Sequence, residues 1–206
     1  TNQVVALTSA QLSSLASAQV AALSSNAIGA IETADIVGLT TANVAALRSA
    51  QLVGLATAQV AALSTGQIAA LSTAAVSGLS TNQIVALTTA QASSLSTAQV
   101  AGLSTAAVAA LETADFAALK SDAIAALSAN QVKALTTNQV VALTTAEAAA
   151  LSTAQVAALS TDAIAALETA DLSAIKTAAV AALSSAQVAA LTTAQVNNLA
   201  TASLAA

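Results

Sequence analysis

The chain has 206 residues with no Cys, His, Met, Trp, Tyr or Pro and a single Phe, and its nine acidic and four basic residues give a formal net charge of -5. These absences exclude thiol nucleophiles, disulfides, zinc sites built on Cys or His, imidazole acid-base catalysis and aromatic platforms for stacking on bases. With no basic surface to draw phosphates, nucleic acid is not an expected partner.

The chain opens at Thr1 inside a partial repeat. From Thr8 to Leu199 it then states one eight-residue phrase twenty-four times without insertion or deletion. The plainest copy is Ser152-Thr153-Ala154-Gln155-Val156-Ala157-Ala158-Leu159. Ser152 marks position one of this octad and Leu159 position eight. Fixed-period repetition signals an array whose units touch mainly their neighbours, so residues 1-206 are read as one octapeptide-repeat solenoid, a fragment of a longer array.

Position eight is Leu except at Ile31 and Ile175, and position five is Val, Ile or Leu except at Ala92, Phe116 and Ala148. Residues three apart share a helical face but lie on opposite faces of a strand, and Ala is abundant; both facts predict helix. One continuous helix fails because eight residues at about 100 degrees each overshoot two turns by roughly 80 degrees, winding the Val/Leu stripe around the rod. The expected fold is therefore an all-α solenoid of very short helices, one per eight-residue repeat.

Position two is Thr or Ser in every complete octad but that of Ala129. Its short hydroxyl is assigned as the helix cap, with a capping box from position one to Gln at position four as the alternative. Asp35, Asp115, Asp171 and Glu147 stand at position four and Asp122 and Asp162 at position three, all in the expected first helical turn. Arg48, Lys120 and Lys176 follow a position-eight residue, where they can meet carbonyls ending the previous helix. Glu32, Glu112 and Glu168 at position one fit no such rule.

Ala, Gly or Ser fills position seven in every complete octad except the last, which carries Asn198. Small side chains there predict close approach of neighbouring helices. A helix of about six residues is too short to fold alone, so stacking is obligatory. The number of octads per coil is expected to be two or four. Glu32 and Arg48, two octads apart, suit the first, while Phe116 and Ala148, four apart, suit the second. Phe116 and Ala92, three apart, suit a triangle, whose centre is judged too cramped for helix axes about 8 to 10 Å apart.

No charged residue lies between Arg48 and Glu112. Polar clusters recur in every octad, so no uninterrupted apolar stretch reaches spanning length and no membrane span is expected. The start lacks the basic and apolar regions of a signal peptide. Low charge and ends inside an octad lead to an expectation of head-to-tail self-association.

The phrase from Glu32 to Asp35, repeated at Glu112 to Asp115 and Glu168 to Asp171, is weighed as paired carboxylates or a Ca²⁺ site and assigned instead to helix-start electrostatics. Lys133 at position six is read as a solvated outer residue. The Thr ladder is weighed as an ice-binding face, but Ser9, Ser17, Ser25 and Ser49 at position two fit a cap better. No catalytic, cofactor-binding or metal-binding residue is assigned, and no cofactor is expected.

The phrase Leu-Ser-Thr-Ala-Gln-Val-Ala-Ala-Leu, which runs from Leu151 to Leu159, resembles octad arrays of long repetitive bacterial surface or secreted proteins of adhesin-like type. That resemblance covers the whole chain. It implies an extracellular or cell-surface location and a non-enzymatic spacer or stalk, with neighbouring repeats of the same chain as the first partners. The alternative is a repeated face that binds protein, glycan or another copy, with ice binding third.

Overall fold

The computed structural model describes residues 2–199; Thr1 and the partial repeat at 200–206 lie outside them. Among the described residues the chain forms 24 short α-helices and one 3-10 segment, with no strand. The all-α solenoid expected from the octad pattern is what the chain adopts.

Helix Thr153–Ala158 shows how one octad is built. Ser152 precedes it with extended dihedrals (φ -75, ψ 160), and its side chain accepts from the Gln155 amide. Leu159 ends it, donating its N–H to Val156 O at 3.2 Å, and is itself extended at φ -58, ψ 140. Six helical residues thus alternate with two extended ones. Among the described residues none has a positive φ and no peptide is cis, so the corner needs neither Gly nor Pro.

The cap sits at position one, not position two. Where position one is Ser or Thr, its hydroxyl accepts from the position-four amide, as at Ser64, Ser80, Ser96, Ser128, Thr136 and Thr144. Position two is already the first helical residue, too late in the chain to cap. A Cβ at Gly54 would stand 2.6 Å from Ser25 O, and one at Gly102 would stand 2.6 Å from Thr73 Cγ2. Position seven of one octad therefore lies against position two of another, which is why position seven must be small.

The coil is not made of two or four octads. Helix Thr41–Ala45 packs on Thr65–Ala70, that on Thr89–Ser94, and that on Thr113–Ala117, each three octads further along. Side-chain hydrogen bonds between coils refine the count, because they join residues from 25 apart (Ser173 with Asn198) to 31 apart (Gln99 with Ile68). None among the described residues spans 24 or fewer, as an exact three-octad turn would produce, and none reaches 32. One turn therefore takes more than three octads and fewer than four.

The centre is not cramped, because each side of the coil is longer than its helix. Two extended residues at about 3.3 Å each add to about 9 Å of helix, so each side is roughly 15 Å long and leaves room for the core. That core is the position-five and position-eight set, from Leu12 through Val156 and Leu159 to Val180, buried except at Leu15 and Leu23, which are partly buried. Phe116 and Ala92, both buried, belong to directly packed helices in successive coils, so the large residue falls where its neighbour is small. No helix among the described residues is long and apolar enough to cross a membrane.

Candidate functional site

The polar groups buried in this protein belong almost entirely to position four. Gln51, Gln59, Gln67, Gln83, Gln91 and Gln99 are each 2–3% exposed, and Gln131, Gln139, Gln155, Gln187 and Gln195 are buried likewise. A buried amide must find partners, and position four finds them in two coils. Gln99 Oε1 accepts from Ser96 N at 2.7 Å, completing the capping box of its own helix. Its Nε2 donates to Leu71 O at 2.7 Å and Ile68 O at 3.0 Å, the carbonyls at the end of a helix in the coil beneath. Gln131, Gln155, Gln187 and Gln195 repeat these contacts.

Such a joint solves the main difficulty of very short helices. A helix of five or six residues is nearly all terminus, with amide donors unsatisfied at one end and carbonyl acceptors at the other. One glutamine serves both kinds of end at once. The amide does this only because the turn length places each helix start over the end of a helix four octads earlier.

The position-four acids Asp115, Glu147 and Asp171 lie in the first helical turn, as the sequence pattern led one to expect. Their burial was not expected: Asp115 is 2%, Glu147 5% and Asp171 1% exposed. Asp115 Oδ1 accepts from Thr89 Oγ1 at 2.8 Å and Asp171 Oδ1 from Thr145 Oγ1 at 2.7 Å, both hydroxyls at position two in the adjacent coil. Asp35 is half-buried, accepts from Ser9 N at 2.6 Å, and precedes the 3-10 segment Ile36–Gly38. Glu32, Glu112 and Glu168 are exposed, and the last two make no side-chain cap bond. The acids of each phrase therefore do not form a convergent pair: one points to solvent and the other into a joint.

Arg48 Nη2 donates to Ala21 O at 2.8 Å, so it does meet carbonyls near a helix end. That helix lies four octads back instead of immediately before it, the same neighbour that glutamine finds. Lys133 is exposed in the last turn of helix Ala129–Lys133, as expected. Among the described residues no group of three or more acidic side chains is gathered around one point.

The model of the ALTTAQ repeat matches residues 28–65, 60–97, 108–145, 140–167 and 164–201, which together make up most of the chain. The chain belongs to the ALTTAQ repeat family. No curated protein gives a match. The ALTTAQ phrase itself stands at residues Ala86-Leu87-Thr88-Thr89-Ala90-Gln91 and again from Ala190 to Gln195. In structural terms the ALTTAQ phrase is the corner of the coil. It holds the small residue that packs on the adjacent coil, the core Leu, the capping Thr, the first helical Thr and the Gln of the joint.

Proposed function

We propose that this ALTTAQ array is a non-enzymatic spacer or stalk in a large extracellular bacterial protein, and that its work is to hold length and shape. The observation that carries this reading is the glutamine joint. Every bond that fixes one coil to the next comes from within the repeat, so octads can be added without a new kind of contact, and length can change while cross-section stays constant. The buried glutamines, which make up most of the buried polar groups, are engaged at helix ends.

A repeated binding face is the rival. A turn between three and four octads supports the stalk over an ice-binding plane, because equivalent Thr residues in successive turns step around the rod instead of forming a straight ladder. The experiment replaces the array in its parent protein with an unrelated rigid rod of equal length. Retained function is expected, and loss of function despite equal length would overturn the spacer reading in favour of a binding face.

Head-to-tail association of this chain has its own support. Leu7, Leu15, Leu23, Leu183 and Leu191 are only partly buried, whereas the same position inside the array is covered on both sides. Sedimentation over a wide concentration range should show growth in mass that Lys substitutions in the outermost octads abolish. A strict monomer at millimolar concentration would exclude it.

A further inference from the structure

We propose that Asp115 and Asp171 each hold a hard cation, Ca²⁺ or Na⁺, between their Oδ2 atom and the backbone carbonyls of the coil beneath. Both Oδ2 atoms are buried and have no hydrogen-bond partner among the described residues. A buried carboxylate oxygen in that state is costly unless a cation or a proton sits against it.

The repeat itself says what those oxygens face. Asn43, at the same octad position and with the shape of Asp, accepts from Ser17 Oγ at 3.3 Å through Oδ1 and donates from Nδ2 to Leu12 O at 3.4 Å, 31 residues back. Asp115 and Asp171 reproduce the first bond, taking Thr89 and Thr145 as donors. Their Oδ2 atoms therefore take the place of the Asn43 Nδ2, and the residues 31 back are Ile84 and Val140. An acceptor stands where the joint elsewhere uses a donor.

Neighbouring carbonyls reinforce the charge at that point. In the glutamine joints one Nε2 lies within 3.5 Å of three carbonyls, as Gln99 does with Ile68 O, Ala69 O and Leu71 O. The equivalent trios are those of Ile84, Val85 and Leu87 beneath Asp115, and of Val140, Val141 and Leu143 beneath Asp171. They end a helix, where the partial charge is negative and favours a cation. One carboxylate oxygen, up to three carbonyls and water make an oxygen-only donor set, which suits Ca²⁺ or an alkali ion and not zinc or copper.

Glu147 marks the boundary of the proposal. One methylene longer, it places Oε2 on Thr144 N at 2.9 Å and Oε1 near Ser121 Oγ at 3.3 Å, so both oxygens are partnered and no ion is called for. The carbonyl trio is also what the sequence conceals, since it lies 28 to 31 residues before the acid.

The test uses the whole chain, dialysed into chelator and choline chloride, then titrated with CaCl₂ or NaCl at constant ionic strength. Thermal melting by circular dichroism should rise with at least one ion, and equilibrium dialysis should approach two ions per chain. The double variant D115N/D171N, which gives both positions the amide chemistry of Asn43, should bind none, lose the response, and melt above the native chain when cation is absent. D122N/D162N, which removes two exposed acids, should keep the full response. Should the double variant fail to fold, each single variant should bind one ion instead of two. An unchanged response in D115N/D171N, no response of the native chain to either ion, or stabilisation by acid in place of cation would each overturn the proposal.

Discussion

Gln99 lies 28 residues beyond Leu71 and donates to its carbonyl at 2.7 Å. The bond joins position four of one octad to position eight of the octad four earlier, so the start of one helix lies over the end of another. In an exact three-octad turn, equivalent positions would stack directly, and the start of one helix would face the start of another, donor against donor. The offset brings donors over acceptors. Turn length and glutamine are thus two sides of one arrangement.

Removing this amide should be costly although the side chain is not part of the apolar core. Gln99→Ala leaves Ser96 N and Leu71 O without their partner, an expected loss of about 1–3 kcal/mol. Hydrogen exchange checks it locally: the Ser96 amide should lose protection while amides several coils away keep theirs. The array already tolerates Ala at this place in Ala75, Ala107, Ala123 and Ala163, so the variant should remain folded.

How far the sequence reached can be judged residue by residue. Val156 and Leu159 at positions five and eight were legible as core because three-residue spacing has one helical meaning. The break at each octad was legible from the remainder of roughly 80 degrees. Gln155 was legible only as half of a possible capping box, because its other partners, Leu127 O and Ala125 O, are 28 and 30 residues earlier. Nothing in a local window marks that distance. Thr153 misled, since it is the first helical residue and the capping hydroxyl belongs to Ser152 just before it. The turn number was hidden for a simpler reason: the extended pair at each corner sets the side length, and no residue type announces it.

The cap assignment makes a sharp comparison between adjacent hydroxyls. Ser152 accepts from Gln155 N and Thr153 does not cap. Ser152→Ala should therefore cost about 1 kcal/mol, whereas Thr153→Ala should stay within about 0.5. Leu159→Ala, which empties a core position, should cost about 2–5 kcal/mol. Denaturant unfolding of the three variants orders them, and equal effects at Ser152 and Thr153 would undo the position-one assignment.

Two glycines should respond in opposite directions. Gly54 packs so closely that an added Cβ would stand 2.6 Å from Ser25 O, a backbone atom that cannot swing aside. Gly66 has nothing nearer than 3.9 Å, and it lies within helix Thr65–Ala70. Gly54→Ala should destabilise by about 1–3 kcal/mol through overpacking, and Gly66→Ala should stabilise by about 0.5–1 kcal/mol through reduced chain entropy. Paired melting curves decide it.

The smallest folding unit follows from the same 25-residue minimum separation of coil-to-coil side-chain bonds. A peptide of three octads is shorter than that span and can make no such bond, and its helices are far below the length at which isolated helices hold in water. It should be unfolded by circular dichroism at any practical temperature. Seven octads are long enough for two turns' worth of repeats to face each other, so glutamines in the later octads find carbonyls in the earlier ones. Helical signal per residue should therefore rise steeply between three and seven octads and then level off, as nearest-neighbour coupling in a linear array requires. A helical signal per residue that is already full at three octads would show that the helices stand without the joint, and the role given to glutamine would fail.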